Sequence, residues 1–266
     1  MTVQDEITRA VSELAGSSHA IALTGAGIST ESGIPDYRGP KGVWTLDKQA
    51  EAKAYERYEM FLGNPRHYWE EMLSGQGAHG AFYAALRYAQ PNPGHRALAE
   101  LERVGVLKHV ITQNIDGLHR RAGSRNVVEY HGSVDRIRCP ACGSRRGFES
   151  VTPGNLPPYC TCGGVMKYDV VHFKEPIPFD VMEEAEHQAR VCDIMLICGT
   201  SAVVYPFAAL PRTAKLGGKS TISIIEVNAE PTPLTLEGVT DYFIQGKTGE
   251  ILPEIAAAVR KIKAGE

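Results

Sequence analysis

Hydrophobic residues recur at helical and strand-like intervals along most of this chain. Four apolar residues near the start are spaced three or four apart and predict an amphipathic helix: Ile7, Ala10, Val11 and Leu14. Apolar runs of strand length lie at residues 20–23, 107–112, 127–130, 193–198 and 222–227. Helical patterns between or after them cover 94–104, 180–190 and 250–262. This alternation predicts an α/β fold, a doubly wound parallel sheet with helices on both faces.

Two segments interrupt the alternation. Residues 55–62, 67–73 and 81–87 have helical patterns separated by glycine-containing turns, which predicts an inserted helical module. Residues 134–166 contain four cysteines and few aliphatic side chains. Because so few apolar side chains cannot build a core of their own, this second segment needs a cross-link to hold it together.

Composition places the chain among ordinary globular proteins. Of its 266 residues 43% are hydrophobic, and 28 basic against 31 acidic residues leave a net charge of -3. This balance excludes a disordered chain and does not favour a nucleic-acid partner. No apolar run approaches the roughly 20 residues of a membrane span, and Asp5 and Glu6 stand where a secretory signal would be basic. We therefore expect a cytoplasmic protein that does not cross a membrane.

The six cysteines fall into two groups. Cys192 and Cys198 lie in an apolar run, where they are expected to pack in the core. The others form a Cys-x2-Cys pair and, seventeen residues later, a Cys-x-Cys pair: Cys139, Cys142, Cys160 and Cys162. This spacing is close to that of a four-cysteine structural site and predicts one zinc ion with no position open for catalysis. Two disulfides are the alternative, which a reducing compartment disfavours.

A glycine-rich loop follows the first predicted strand. Its sequence, residues 25–29, is Gly-Ala-Gly-Ile-Ser, at a point where a doubly wound sheet exposes backbone N–H groups to a phosphate. Thr30 stands where a complete G-x-G-x-x-G fingerprint needs glycine, and residues 33–39 have a loop pattern rather than a helical one. The loop therefore indicates nucleotide binding but not an ordinary dehydrogenase. A tight strand-to-loop turn remains an alternative for this segment alone.

Polar residues also follow four later strands. They lie at 112–116, at His131, at 199–201 and at Asn228. Each could be a helix cap or a simple turn. The carboxyl ends of parallel strands meet at one edge of the sheet. These polar residues together therefore predict a long polar crevice suited to a dinucleotide. His131 is the candidate general base, since the ordinary imidazole pKa of about 6.5 suits proton transfer near neutrality.

Taken together and in this order, the motifs resemble those of the sirtuins, NAD-dependent protein-lysine deacylases. The matching segments are 25–39, 112–119, 131–132, the four cysteines, 173–175, 199–201 and 226–228. The resemblance implies a single catalytic domain built from three parts. These are a Rossmann-like NAD-binding part (1–38, 90–133 and 170–266), a helical module (39–89) and a zinc-binding module (134–169).

The resemblance also implies a role for each site residue. NAD contacts are expected from Gly25, Ala26, Gly27, Asp36, Tyr37, Arg38, Trp44, Gln113, Asn114, Ile115, Asp116, Gly199, Thr200, Ser201, Asn228 and Thr248. Asn114 and His131 are the expected catalytic residues. The oxygen of the acyl group on lysine attacks C1′ of the nicotinamide ribose, nicotinamide leaves, and His131 activates a ribose hydroxyl. The acylated peptide is expected to bind as an added strand between residues 173–175 and the loop after Gly199.

Some positions depart from the family pattern. Lys174 replaces the glycine of a Phe-Gly-Glu motif, and Tyr37 stands where many members have phenylalanine. The Tyr-x-x-Arg pair of acid-selective members is absent, since Met72 and Gly75 occupy its positions. Without a cation there, burial of a succinyl carboxylate would be costly. We therefore expect deacetylation to be preferred over desuccinylation, with longer apolar acyl chains accepted.

Three alternatives stay open. Tyr83 and Arg87 are four residues apart and could together supply the missing acid-binding pair, which would favour desuccinylation. An NAD-dependent oxidoreductase is favoured only by the glycine loop. A non-catalytic zinc-containing binding module would fit the cysteines but not the group of strand-end residues.

Overall fold

Strands from widely separated parts of the chain form one parallel sheet. The computed structural model describes residues 2–37, 39, 42–74, 82–83, 85–86, 88–217 and 222–266. Its strands are β1 (Ala20–Thr24), β2 (Leu107–Thr112), β3 (Val127–Glu129), β4 (Gly132–Arg138), β5 (Arg145–Gly147), β6 (Lys167–Val170), β7 (Ile194–Cys198), β8 (Ser223–Asn228) and β9 (Tyr242–Gln245). Six of them pair in parallel in the order β3-β2-β1-β7-β8-β9. The chain order therefore reverses between β1 and β7.

Helices cover both faces of this sheet. The α-helices in the described part of the chain are α1 (Val3–Gly16), α2 (Val43–Leu46), α3 (Lys48–Gly63), α4 (Pro65–Leu73), α5 (Pro93–Arg103), α6 (Leu118–Ala122), α7 (Phe179–Val191), α8 (Leu210–Gly217), α9 (Pro233–Leu236) and α10 (Thr248–Ala264). Helices α1, α5 and α10 pack in one hydrophobic cluster with the sheet, and α7 and α8 pack in a second. Because both faces are covered, β1 and β7 are buried at every position.

The cysteine-containing segment forms a separate antiparallel sheet, in the order β5-β4-β6. Its apolar side is covered by the helical module rather than by a core of its own. Ile137 and Met166 share one hydrophobic cluster with Tyr68 and Trp69 of α4. The Nε1 atom of Trp69 donates a 2.8 Å hydrogen bond to the Met166 carbonyl oxygen. The two inserted segments therefore support each other.

The sequence predicted most of this architecture correctly. The strands and the long helices of the large sheet are confirmed to within one or two residues at their ends. The small sheet and the edge strand β9 were not predicted. Residues 81, 84 and 87 of the predicted helix 81–87 lie outside the described residues. The residue limits drawn for the three parts of the domain stay a prediction. In the described part of the chain, no helix is both long and apolar enough to span a membrane.

Candidate active site

The loops after β1 and β7 touch at the point where the strand order reverses. The backbone N–H of Gly27 donates a 2.8 Å hydrogen bond to the carbonyl oxygen of Gly199. A Cβ atom on Gly27 would lie only 2.7 Å from that oxygen, and Gly199 has a left-handed backbone with φ of 61°. Glycine at both positions lets the two backbones approach this closely. The contact builds a tight cradle at the place where doubly wound sheets bind ligands.

A cavity of about 1130 Å³ opens at this edge of the sheet. Most of the residues expected from the sequence line it: Ala26, Gly27, Asp36, Tyr37, Trp44, Gln113, Asn114, Ile115, His131, Gly199, Thr200, Ser201, Asn228 and Thr248. Gly25 and Asp116 lie behind this lining, and Arg38 lies outside the described residues. The structure thus brings the glycine-rich loop and the four later groups of strand-end residues together around one cavity.

Hydrogen bonds between strand ends fix the polar wall of the cavity. The Nε2 atom of Gln113, after β2, donates to the Thr200 hydroxyl at 2.7 Å. The Nδ2 atom of Asn228, at the end of β8, donates to the Thr200 carbonyl oxygen at 3.1 Å. Thr200 therefore ties three strands together. The Thr248 hydroxyl oxygen is buried and has no hydrogen-bond partner among the described residues, which leaves it available to a ligand.

Asn114 is held from behind by buried polar groups. Its Nδ2 atom donates to the Gly25 carbonyl oxygen at 2.9 Å and to the Ser29 hydroxyl at 3.0 Å. Both donors of the amide are thus directed at the protein, so its oxygen is the atom left for a ligand. Ser29 in turn donates to Asp116 at 2.7 Å. Asp116 also accepts the backbone N–H of Leu118 at 2.9 Å, but the N-cap residue of α6 is Gly117 and no side chain caps this helix, so the helix-cap interpretation of this motif was not correct.

His131 is held in its neutral form. Burial lowers its pKa to about 4, against the opposing effect of a hydrogen bond to the Gln113 backbone. The Nδ1 atom lies 3.2 Å from the Gln113 carbonyl oxygen. Because a carbonyl oxygen can only accept, Nδ1 carries the proton, and Nε2 has a free lone pair. The imidazole can therefore accept a proton at neutral pH.

Aromatic side chains close the opposite side of the cavity. The rings of Tyr37 and Trp44 lie 4.7 Å apart, and Trp44 lies 5.6 Å from Phe173. Phe173 stacks on Tyr55 of α3 at 4.2 Å. This cluster joins the loop after β1, the helical module and the loop after β6. It was not predicted, because the rings come from segments distant in sequence, and no local pattern identifies their contact.

A buried ion network holds the loop after β6. The carboxylate of Glu175 is 3.0 Å from Lys167 Nζ and also accepts from Arg138 and from the His172 backbone N–H. Arg138 pairs further with Asp169 at 3.2 Å. Burial lowers the pKa of Lys167 to about 8, partly offset by the charge of Glu175. The network connects the cysteine-containing sheet to the cavity wall.

The four predicted metal ligands form one cluster. The Sγ atoms of Cys139, Cys142, Cys160 and Cys162 all lie within 4.8 Å of one another. Two pairs, Cys139–Cys162 and Cys142–Cys160, have sulfur separations of 3.6 Å. A disulfide bond measures about 2.05 Å, whereas four thiolates about 2.3 Å from a zinc ion are separated by about 3.8 Å. The arrangement fits tetrahedral zinc, and Cys192 and Cys198 are buried in the core as expected.

Comparisons with known proteins agree with this geometry. A model of the Sir2 family matches residues 25–206. An NAD-dependent protein deacylase of Thermococcus kodakarensis is 45% identical over 263 residues, which cover 94% of this chain and 95% of the relative. NAD-dependent protein deacylase 2 of Pyrobaculum aerophilum is 44% identical over 249 residues, covering 93% and 94%.

A solved structure of a Sir2 homologue bound to a myristoylated histone peptide is also similar. It superposes with a TM-score of 0.68 at 39% identity and covers 99% of this chain and 100% of its own. The family match spans more than half of the chain, and the relatives match over nearly their full length. The chain therefore belongs to the Sir2 family of NAD-dependent protein deacylases.

Proposed function

We propose that this protein removes acyl groups from protein lysines with NAD as co-substrate, and that the residues around the strand-end cavity carry out the reaction. One water molecule is consumed after nicotinamide has left, and the products are the free lysine, nicotinamide and acyl-ADP-ribose. One observation carries the proposal: polar groups from five strand ends far apart in sequence line a single cavity of about 1130 Å³. That volume and its shape along the sheet edge suit a dinucleotide together with a side chain.

The residues present fit NAD. Glycine at positions 27 and 199 lets the loops after β1 and β7 meet beside the space for a dinucleotide, while their own N–H groups donate to the carbonyl oxygens of Gly199 and Val227. Polar groups for the adenosine half come from the Asn228 amide and from the Thr248 hydroxyl, which has no hydrogen-bond partner among the described residues. The oxygen of Asn114 is available to the nicotinamide half. Bound NAD supplies a ribose carbon that accepts the acyl oxygen as nicotinamide leaves.

His131 is proposed as the general base. Its Nε2 lone pair takes a proton from a ribose hydroxyl, while Nδ1 keeps its hydrogen bond to the Gln113 carbonyl oxygen. That carbonyl favours the charged imidazole, since a hydrogen bond to the protonated form raises its pKa. Gln113 thus both orients the ring and stabilises the charge that proton transfer creates.

Exclusion of water is assigned to the aromatic cluster. The reacting ribose carbon is captured by water unless the acyl oxygen is held close and solvent is kept out. Tyr37 and Trp44 both line the cavity, and Trp44 is only 8% exposed. Their apolar faces provide a dry wall beside the reacting groups.

The acylated peptide is proposed to bind as a strand between two loops that flank the cavity. Lys174 lies on the loop after β6, and Val203 and Val204 lie on the loop after β7, and all three line the cavity. Strand addition uses backbone hydrogen bonds, so one site accepts peptides of different sequence. The zinc ion is assigned a structural role, because four cysteines leave no open coordination position.

Release of nicotinamide tests the proposal. The protein is incubated with NAD and one peptide in acetyl-lysine and unmodified-lysine forms. We expect nicotinamide and acetyl-ADP-ribose only with the acetylated peptide. Formation of reduced NAD, followed by its absorbance, would instead indicate an oxidoreductase. Nicotinamide release that is the same with both peptides would contradict the proposed acyl transfer.

A further inference from the structure

A lysine with no exposed surface lies behind the loop after β6. Lys167 is the first residue of β6, and 0% of its side chain is exposed. Its ammonium group donates to the carbonyl oxygens of Tyr168 and Val170 at 2.8 and 2.6 Å, and its Nζ atom lies 3.0 Å from Oε2 of Glu175. Because an ammonium group has three N–H donors, every donor of this buried lysine has an acceptor.

Glu175 closes a tight turn on the cavity wall. Its backbone N–H donates to the His172 carbonyl oxygen at 3.1 Å, and its carboxylate accepts the His172 backbone N–H at 3.0 Å. The two residues between them, Phe173 and Lys174, line the cavity, and Lys174 has the left-handed backbone with φ of 68°. A turn with a strained residue keeps its shape only where the surrounding contacts hold it. The carboxylate of Glu175 therefore supports this turn.

The ammonium group of Lys167 joins the two ends of the segment 168–175. It holds β6 through two backbone carbonyl oxygens and the turn through the carboxylate of Glu175. In the middle of this segment, the backbone N–H of Val171 donates to the carbonyl oxygen of His131 at 2.9 Å. One buried cation thus fixes the strand, the turn and their contact with the proposed general base.

We propose that Lys167 is a positioning residue for the acylated peptide: through Glu175 it holds the turn at 172–175 in the shape with which the peptide strand pairs. Lys167 lies outside the cavity lining, so it acts on the reaction only through the turn. Strand addition depends on backbone geometry, and a turn of the wrong shape therefore weakens the binding of every peptide. The inference rests on the proposed deacylase function and adds the residue that prepares its peptide site.

A purely structural role for Lys167 would be to stabilise the small sheet by its ion pair with Glu175. Arg138 also pairs with Glu175 and with Asp169, so the sheet keeps a buried cation without Lys167. Replacement of a buried ion pair by apolar groups is often neutral for stability. What Lys167 adds to Arg138 is its pair of contacts with the β6 carbonyl oxygens, which fix the turn relative to the strand.

The test measures the steady-state kinetics of deacetylation, with peptide and NAD varied in turn. Lys167→Met removes the ammonium group and keeps an unbranched side chain. We expect KM for the acetylated peptide to rise about tenfold, the scale of one charged hydrogen bond, while kcat at saturating peptide changes by less than about threefold. The Kd of NAD, measured by calorimetry, should change by less than about twofold, because the turn lies apart from the strand ends proposed to bind NAD.

A double variant keeps the test decisive if Lys167→Met does not fold. Lys167→Met/Glu175→Gln removes both charges of the pair, so neither is left buried alone. If Lys167 acts through Glu175, the peptide KM of the double variant should exceed that of the wild type about tenfold and equal that of Glu175→Gln. A peptide KM well above that of Glu175→Gln would show that Lys167 acts by another route, which overturns the inference.

Asp193→Asn is the matched control for lost stability. Asp193 lies before β7 at the opposite end of the sheet, where its carboxylate accepts the backbone N–H groups of Ser18 and His19 at 2.9 and 3.1 Å. We expect a lower melting temperature and an unchanged peptide KM. The inference is overturned if the folded Lys167 variants keep the wild-type peptide KM, or if peptide KM and the Kd of NAD rise by the same factor. Failure of the wild type to release nicotinamide with any acetylated peptide would instead reject the proposed function.

Discussion

The Nζ atom of Lys174 lies 2.6 Å from Oε1 of Glu59, and this ion pair joins the loop after β6 to helix α3 at the rim of the cavity. Lys174 has a left-handed backbone with φ of 68°. For a residue with a Cβ atom this conformation costs about 1–2 kcal/mol, which explains why glycine suits the position. Lys174, which departs from the family pattern, thus connects the loop after β6 to helix α3 through its side chain, while its own backbone is strained.

Glycine at this position should therefore stabilise the protein relative to alanine. We expect Lys174→Gly to have a free energy of unfolding about 1 kcal/mol higher than Lys174→Ala, because both lose the ion pair but only alanine keeps the strain. Glu59→Gln is the control that removes the ion pair alone, and it should change stability little, since both side chains are more than half exposed. Denaturant unfolding measures all three. Equal stability of the glycine and alanine variants would show that the loop relaxes.

The sequence predicted the large sheet and the group of strand-end residues because both depend on local patterns. Runs of apolar residues identify β1 and β7, and the rule that ligands bind at strand ends identified Gln113 and His131. Lys174 was noticed as an unusual residue, but its contact with Glu59 depends on how α3 packs. The contacts of Arg57 with Met72 and Glu71 were missed for the same reason: they join two helices, and no spacing in the sequence records them.

His131 should be essential for turnover but not for folding or NAD binding. We expect His131→Ala to lower deacetylation by at least about 10²-fold, the scale of a lost general base. NAD binding, measured by calorimetry, should persist, because the cradle at Gly27 and Gly199 does not involve the imidazole. His187 is an exposed histidine on α7, and His187→Ala serves as the control with normal turnover. Near-normal turnover of His131→Ala would remove this residue from the mechanism.

The low pKa of His131 also predicts the pH dependence. Because burial lowers this pKa from 6.5 to about 4, the ring stays unprotonated down to about pH 4. The acid limb of kcat/KM should therefore lie nearer to pH 4 than to pH 6.5. Below pH 6.5 the unfolded chain takes up a proton that the folded site refuses, so stability falls as the pH decreases. His131→Ala should lose less stability than wild type between pH 7 and pH 5; an equal loss would contradict the low pKa.

Zinc removal should affect both inserted segments but spare the large sheet. We expect one zinc ion per chain in protein purified without chelators, and its loss in Cys142→Ser. Because Met166 packs on Trp69, loss of the metal should disturb the helical module as well as the small sheet. Near-ultraviolet circular dichroism reports on these rings, and NAD binding should remain measurable. Cys192→Ala, which changes a core cysteine, should keep its zinc. Absence of zinc from the wild type would rule out the proposed site.

The close contact between the loops after β1 and β7 makes Gly27 the most sensitive position of the cradle. In Gly27→Ala the new Cβ atom would lie 2.7 Å from the Gly199 carbonyl oxygen and 2.9 Å from its Cα atom. Both are backbone atoms, so neither can move aside as a flexible side chain would. We expect a loss of about 1–3 kcal/mol in stability, the usual cost of overpacking, together with at least about tenfold weaker NAD binding.

Gly16→Ala is the matched control, because a Cβ atom there meets nothing within 4 Å. This substitution at the end of α1 should leave NAD binding unchanged and stability the same or slightly higher, since alanine favours the helix. Calorimetric titration with NAD and denaturant unfolding compare the two variants. If Gly27→Ala and Gly16→Ala bound NAD with equal affinity, the loops after β1 and β7 would be able to separate without weakening NAD binding. The dinucleotide would then depend on side chains such as Asn114 and Asn228 rather than on the backbone cradle.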